Sequence, residues 1–160
     1  MKRLMAIAML LLVATVGFSD TVARFGRWHV MEMEGTLLDE GFMMIGAWGE
    51  ETGTLIGVRM DVPRVAVTFG TFLGSQNQLH DETVLFVTNL MDPYRMPRAW
   101  RSNTTTLMWE GDAAEIIILA LMSAELAMMR TYTYAGSRAD FMLEVDRENF
   151  VKAVNFVDGR

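Results

Sequence analysis

The side chains best suited to chemistry are the imidazole of His29 and the thioethers of Met31 and Met33, spaced His-x-Met-x-Met. On a strand alternate residues point to one face, so the three would stand in a row. Imidazole with thioether is a soft donor set that suits Cu(I), and Met43-Met44 and Met128-Met129 offer further sulfur. The same residues have a plainer use. Methionine fills irregular apolar gaps, and it is abundant here in segments that hold no histidine.

Three acidic pairs, Asp39/Glu40, Glu50/Glu51 and Asp81/Glu82, bring the two carboxylates of a glycosidase to mind. Each pair is adjacent in sequence and set in turn-like surroundings, so its members should diverge into solvent. No serine stands in Gly-x-Ser-x-Gly, and a Ser/His pairing would have to use His29 or His80. His80 falls in a polar stretch beside Asp81. Gly70 to Ser75 lacks the Gly-Lys-Ser/Thr ending of a phosphate loop. The residues therefore point to no catalytic set and to no cofactor.

Tyr94, Arg95, Arg98, Trp100 and Arg101 gather arginine and aromatic rings on an otherwise acidic chain. Such residues are enriched where proteins grip partners, so this stretch is the expected binding edge. Its plainer reading is a proline-shaped loop whose arginines neutralise nearby acids. Asn103-Thr104-Thr105 matches a glycosylation acceptor formally, but its strand setting argues against that use.

The N-terminus bounds the rest. Lys2 and Arg3 precede an apolar run from Leu4 to Phe18, the layout of a secretory signal peptide. The run is shorter than the roughly 20 residues a membrane span needs. Cleavage after Ser19 or Ala23 is expected, leaving one exported domain over about residues 24–160. With cleavage after Ser19, loss of Lys2 and Arg3 leaves 12 basic against 20 acidic residues, so the charge moves from −6 to −8. That surface repels polyanions, because nucleic-acid binding depends on neutralising phosphates. The chain has no cysteine, so packing must replace the disulfides common in small exported domains.

The elements that must position these groups are mostly short strands. Trp28–Glu34, Phe42–Trp48, Thr54–Met60, Val65–Phe72, Thr83–Leu90 and Ala99–Glu110 are strand-like, separated by Gly, Pro and Asp turns. Gly74–Glu82 reads as the longest polar loop, and Met91–Pro97, with two prolines, as a break. After Gly111 the pattern becomes helical, with Asp112 as N-cap, Glu115 completing a capping box, and apolar residues on most sides. A period of two returns near Leu126, turns at Ala135–Arg138, and continues with Phe141, Leu143 and Val145 inward. Asn149 to Phe156 closes as a helix. The fold class expected is α+β and β-rich: a small antiparallel β-sandwich or barrel with one buried helix and a C-terminal helix.

Cut this way, the chain resembles small bacterial periplasmic proteins of two kinds. These are the VasI-type accessory proteins of type VI secretion loci and, more distantly, the invasion-associated locus B proteins. Trp28-His29-Val30 stands at their early Trp-x-Val and Gly57-Val58-Arg59-Met60 at their Ile-Arg-Cys. Asp92 matches their turn and Trp100-Arg101-Ser102 their Trp-Ser step, one residue short. Leu119–Ala124, Phe141-Met142-Leu143 and Phe150–Val154 follow the helix, strand and final helix in order. Relatives carry cysteines where this chain has Met60 and the Val157-Asp158 region. The bridge they imply would contribute about 4–5 kcal/mol in a chain-entropy picture, which packing must supply here. The resemblance implies a non-enzymatic periplasmic binding or accessory protein that works with an envelope or secretion-system protein. A Cu(I)-binding protein and a small secreted hydrolase are the alternatives.

Overall fold

The computed structural model describes residues 21–34 and 41–160; the expected signal segment up to Asp20 and the Asp39/Glu40 pair lie outside them. Strand β1 (Thr21–Phe25) pairs with β2 (Trp28–Met33), and β3 (Phe42–Trp48), β4 (Thr54–Arg59) and β5 (Arg64–Phe69) follow as neighbours. The chain then makes a two-residue strand β6 (Gln78–Leu79) and leaves for a second sheet as the hairpin β7 (Val84–Thr88) and β8 (Met91–Met96). It returns through β9 (Trp100–Arg101) and β10 (Thr106–Glu110), which complete the first sheet. Helix α1 (Asp112–Ser123) carries it back to β11 (Leu126–Tyr132) and β12 (Arg138–Glu144), and helix α2 (Arg147–Asp158) ends it.

Two antiparallel sheets result, one of eight strands in the order β1-β2-β3-β4-β5-β10-β9-β6 and one of four in the order β12-β11-β7-β8. Neither closes into a barrel among the described residues, so the sandwich alternative is the one found. Alternation explains the core. Trp28, Val30, Ile45, Ile56, Val58, Val65, Val67 and Leu107 point inward from the large sheet, and Phe86, Met129, Phe141 and Leu143 from the small one. The helices complete the same core through Ile117, Leu121, Phe150 and Val154. Trp28 ties the first sheet to the C-terminus. Its indole Nε1–H donates to the Val145 carbonyl at 2.6 Å, and its ring lies 4.5 Å from that of Phe150. Truncating a buried aromatic of this kind costs about 3–5 kcal/mol.

Several expectations need correction. Met91–Met96 is a strand despite Pro93, because β8 lies at the sheet edge and its pairing with β7 is irregular between Phe86 and Thr88. A proline is tolerated there, where its missing N–H breaks no ladder. The Ala99–Glu110 run is two strands, split by Ser102–Thr105, where Asn103 Oδ1 accepts from the Thr105 N–H at 2.8 Å. Helix α1 begins at Asp112 itself, after Gly111 at φ 57°, and no side chain caps it. Asp112 and Glu115 instead complement the macrodipole from the first turn. The helix buries one stripe, Ala114, Ile117, Ile118 and Leu121, and leaves Leu119 63% exposed, so it is not enclosed on most sides.

Candidate functional site

The five residues expected to form a binding edge do not share one role. Tyr94 and Arg95 stand on edge strand β8, opposite Phe86 and Leu85. Both are exposed. Arg98 follows in the turn that crosses between the sheets and lies 3.9 Å from Asp81. Trp100, opposite Met108 and Leu79, faces outward from the large sheet at 43% exposure. Arg101 points the other way, level with buried Leu107. Its Nη2 donates to Gln78 Oε1 at 3.2 Å and its Nη1 lies 3.4 Å from the Leu73 carbonyl. A Cβ on Gly74 would sit 2.7 Å from that Nη1, so glycine is what lets the guanidinium pack there. Arg101 is a fastener of the β6 segment, and the other four are available to a partner.

The carboxylate pairs do not converge. Asp81 and Glu82 are exposed. Glu50 and Glu51 are not mere solvated charges but clamp the edge of β12. Glu51 Oε2 accepts from the Met142 N–H at 3.0 Å, Glu50 Oε1 from the Glu144 N–H at 3.3 Å, and the Glu50 N–H donates to the Met142 carbonyl at 2.8 Å. Arg27 pairs with Glu50 at 2.6 Å, and its hydrogen bond holds the Glu50 carboxyl below the usual range, helped by the Glu144 N–H. A Cβ on Gly49 would fall 2.9 Å from the Met142 carbonyl oxygen, so glycine permits the approach. These side chains satisfy N–H groups that an open strand edge leaves bare. Sequence reasoning missed this, and no local pattern announces it.

His80 is not a solvated loop residue. It is completely buried, and its Nε2 lies 2.7 Å from Thr131 Oγ1 on β11, while its backbone N–H donates to the Ala99 carbonyl at 2.9 Å. It thus pins the β6 end of the large sheet to the small one. Burial, and secondarily the charge of Arg101, lower its pKa and keep the ring neutral. Asp81 faces Arg98 instead.

His29, Met31 and Met33 lie on the outer face of the large sheet, because Trp28 and Val30 between and before them point into the core. His29 opens a row that crosses the whole sheet. Gly46 stands opposite it, then Gly57, Ala66, Met108, Trp100 and Leu79, each opposite the one before. The middle of that row is small, and Met44 leans into the space: its Sδ lies 3.1 Å from where a Gly57 Cβ would be.

Among the described residues no three His, Cys, Asp or Glu side chains gather to hold a metal ion, and no helix is long and apolar enough to cross a membrane. No family model matches the chain, and no curated protein matches it in sequence. Among solved structures it is similar to the invasion associated protein B of Bartonella henselae, with a TM-score of 0.54 at 10% identity over 86% of this chain and 95% of that one. The likeness is one of fold. It agrees with the resemblance to invasion-associated locus B proteins and says nothing of the VasI type.

Proposed function

We propose that this protein is an exported, non-enzymatic binding protein that grips a protein partner of the cell envelope. The proposed contact surface is the edge of β8, the turn after it and the start of β9, through Tyr94, Arg95, Arg98 and Trp100. The observation that carries the reading is the succession of four exposed Arg and aromatic residues along edge strand β8 and the crossing from it into β9, on a chain of net charge −6. Edge strands pair readily with added strands, and Arg and aromatic side chains dominate binding energy where they become buried. An acidic rim on the partner would fit Arg95 and Arg98.

Strand β1 supports cleavage after Ser19 in preference to Ala23. Cutting after Ala23 would remove Thr21 and Ala23 from their pairings with Met31 and Val30 and take away the Thr21 hydroxyl that meets His29 Nδ1 at 3.3 Å. The fold shared with a protein named for invasion is consistent with a non-enzymatic accessory role, and the acidic surface disfavours nucleic acid.

Affinity capture from an envelope extract, with the exported protein as bait, tests the surface. One dominant protein should be recovered by the wild type, lost with Arg98→Ala and Trp100→Ala, and kept with Lys152→Ala on α2. Recovery of the same protein by all variants contradicts the assigned surface, and recovery of the bait alone contradicts the partner.

A further inference from the structure

Met31 and Met44 are buried, at 6% and 5% exposure, yet neither belongs to the contiguous core. They face outward from the large sheet, directly opposite each other on β2 and β3. Cross-strand partners hold their Cβ atoms about 4.5–5.5 Å apart. His29 is two residues from Met31 on the same face, about 7 Å along the strand, and stands diagonal to Met44, about 7–8 Å away. Met33 is four residues from His29, about 13 Å along the strand, and its own cross-strand neighbour is Phe42. An ion held by His29 is therefore within reach of Met31 and Met44 rather than Met33.

We propose that His29 Nε2 and the sulfurs of Met31 and Met44 form a Cu(I) site on the outer face of the eight-stranded sheet. Two thioethers and an imidazole are soft, neutral ligands matched to a soft monovalent ion, and they match Zn(II) or Mg(II) poorly. Thr21 Oγ1 meets the other ring nitrogen, Nδ1, at 3.3 Å, the kind of second contact that orients a ligating imidazole. Arg24 stands opposite His29 but turns its Nε–H to the Gly26 carbonyl at 3.0 Å. Partial burial, with the Arg24 charge, lowers the His29 pKa and favours the neutral ring that a metal requires. Gly46 opposite His29 carries no side chain, so the Met44 sulfur, which lies over Gly57 on β4, can swing back across it to meet an ion.

The test is anaerobic titration of the purified protein with Cu(I) in competition with a chromogenic Cu(I) chelator. One equivalent should be retained by the wild type, with sulfur in the first coordination shell by X-ray absorption. The double variant Met31→Leu/Met44→Leu conserves volume, so it should keep its circular dichroism and lose retention at least tenfold; His29→Ala should lose it too. Met33→Leu should retain copper as the wild type does. Equal stripping of copper from the wild type and the double variant overturns the site. Loss of copper in Met33→Leu overturns the assigned ligand set.

Discussion

The outer faces of the two sheets obey different rules. On the four-stranded sheet, Arg95 stands opposite Leu85, Leu85 opposite Arg130, and Arg130 opposite Asp140. Arg130 and Arg138 both pair with that one carboxylate, at 2.8 and 3.0 Å. This is the polar, ion-laced outer face an antiparallel sheet presents to water. On the eight-stranded sheet the outer face carries Met31, Met44 and Leu55, all nearly dry, with Trp48 and Trp100 each 43% exposed around them. Apart from Arg24 on β1, its charges stand at one margin, where Arg59 pairs with Asp61 and covers the Phe42 ring at 4.1 Å, and Arg64 pairs with Glu110. A face that could have been polar and is not marks a surface with work to do. The partner contact proposed for the small sheet lies at its edge, and the Cu(I) site proposed for the large sheet lies on its face.

Placing one charge on each face gives the largest contrast. Leu55 lies between Trp48 and Thr68, so Leu55→Asp buries a carboxylate with no cation opposite it and should cost about 3–5 kcal/mol in denaturant unfolding. Leu85→Asp sets the same carboxylate between Arg95 and Arg130 and should cost about 1 kcal/mol or less. Equal losses would erase the distinction between the faces.

A smaller effect belongs to the bolt between the sheets. The buried His80 ring is held neutral by burial and by Arg101, so below about pH 6.5 the unfolded chain binds a proton that the folded one resists. The stability is fully present above that pH and falls as pH drops through the window below it. His29 shifts in the same direction and adds to the slope. Unfolding midpoints between pH 7.5 and 5.5 should fall for the wild type and flatten for His80→Gln, which can still reach Thr131. An unchanged slope in His80→Gln would move the pH dependence elsewhere.

The smallest change is expected from Asp140→Asn. It unpairs Arg130 and Arg138 on the ion-laced face, and the loss should be measurable at low salt and fade toward 1 M, where exposed charges are screened. The Cu(I) retention expected at Met31 and Met44 should be insensitive to this substitution, since the two faces are opposite sides of the sandwich.

The sequence made the alternating strands legible because their period is local. β2, β5 and β12 follow from Trp28/Val30, Val65/Val67/Phe69 and Phe141/Leu143/Val145, and the switch near Leu126 marks the start of β11. What depends on pairing was not legible. Pro93 is acceptable only because β8 is an edge, and Arg101 separates from Trp100 only because neighbours on a strand face opposite ways. Met44 joins Met31 only through the β2–β3 register, and the clamp of Glu50 and Glu51 on β12 spans more than ninety residues of chain. His80, among polar neighbours, carries no sign in its own segment that the ring will be enclosed by a strand fifty-one residues away.

The functional account presupposes that the chain leaves the cytoplasm, and one measurement tests that directly. The full-length protein is expressed in a bacterial host, recovered from the periplasmic fraction and sequenced from its N-terminus. The account predicts a protein beginning at Asp20, with β1 intact. Retention in the cytoplasm with the first residues still attached would contradict export, and with it the proposed envelope partner.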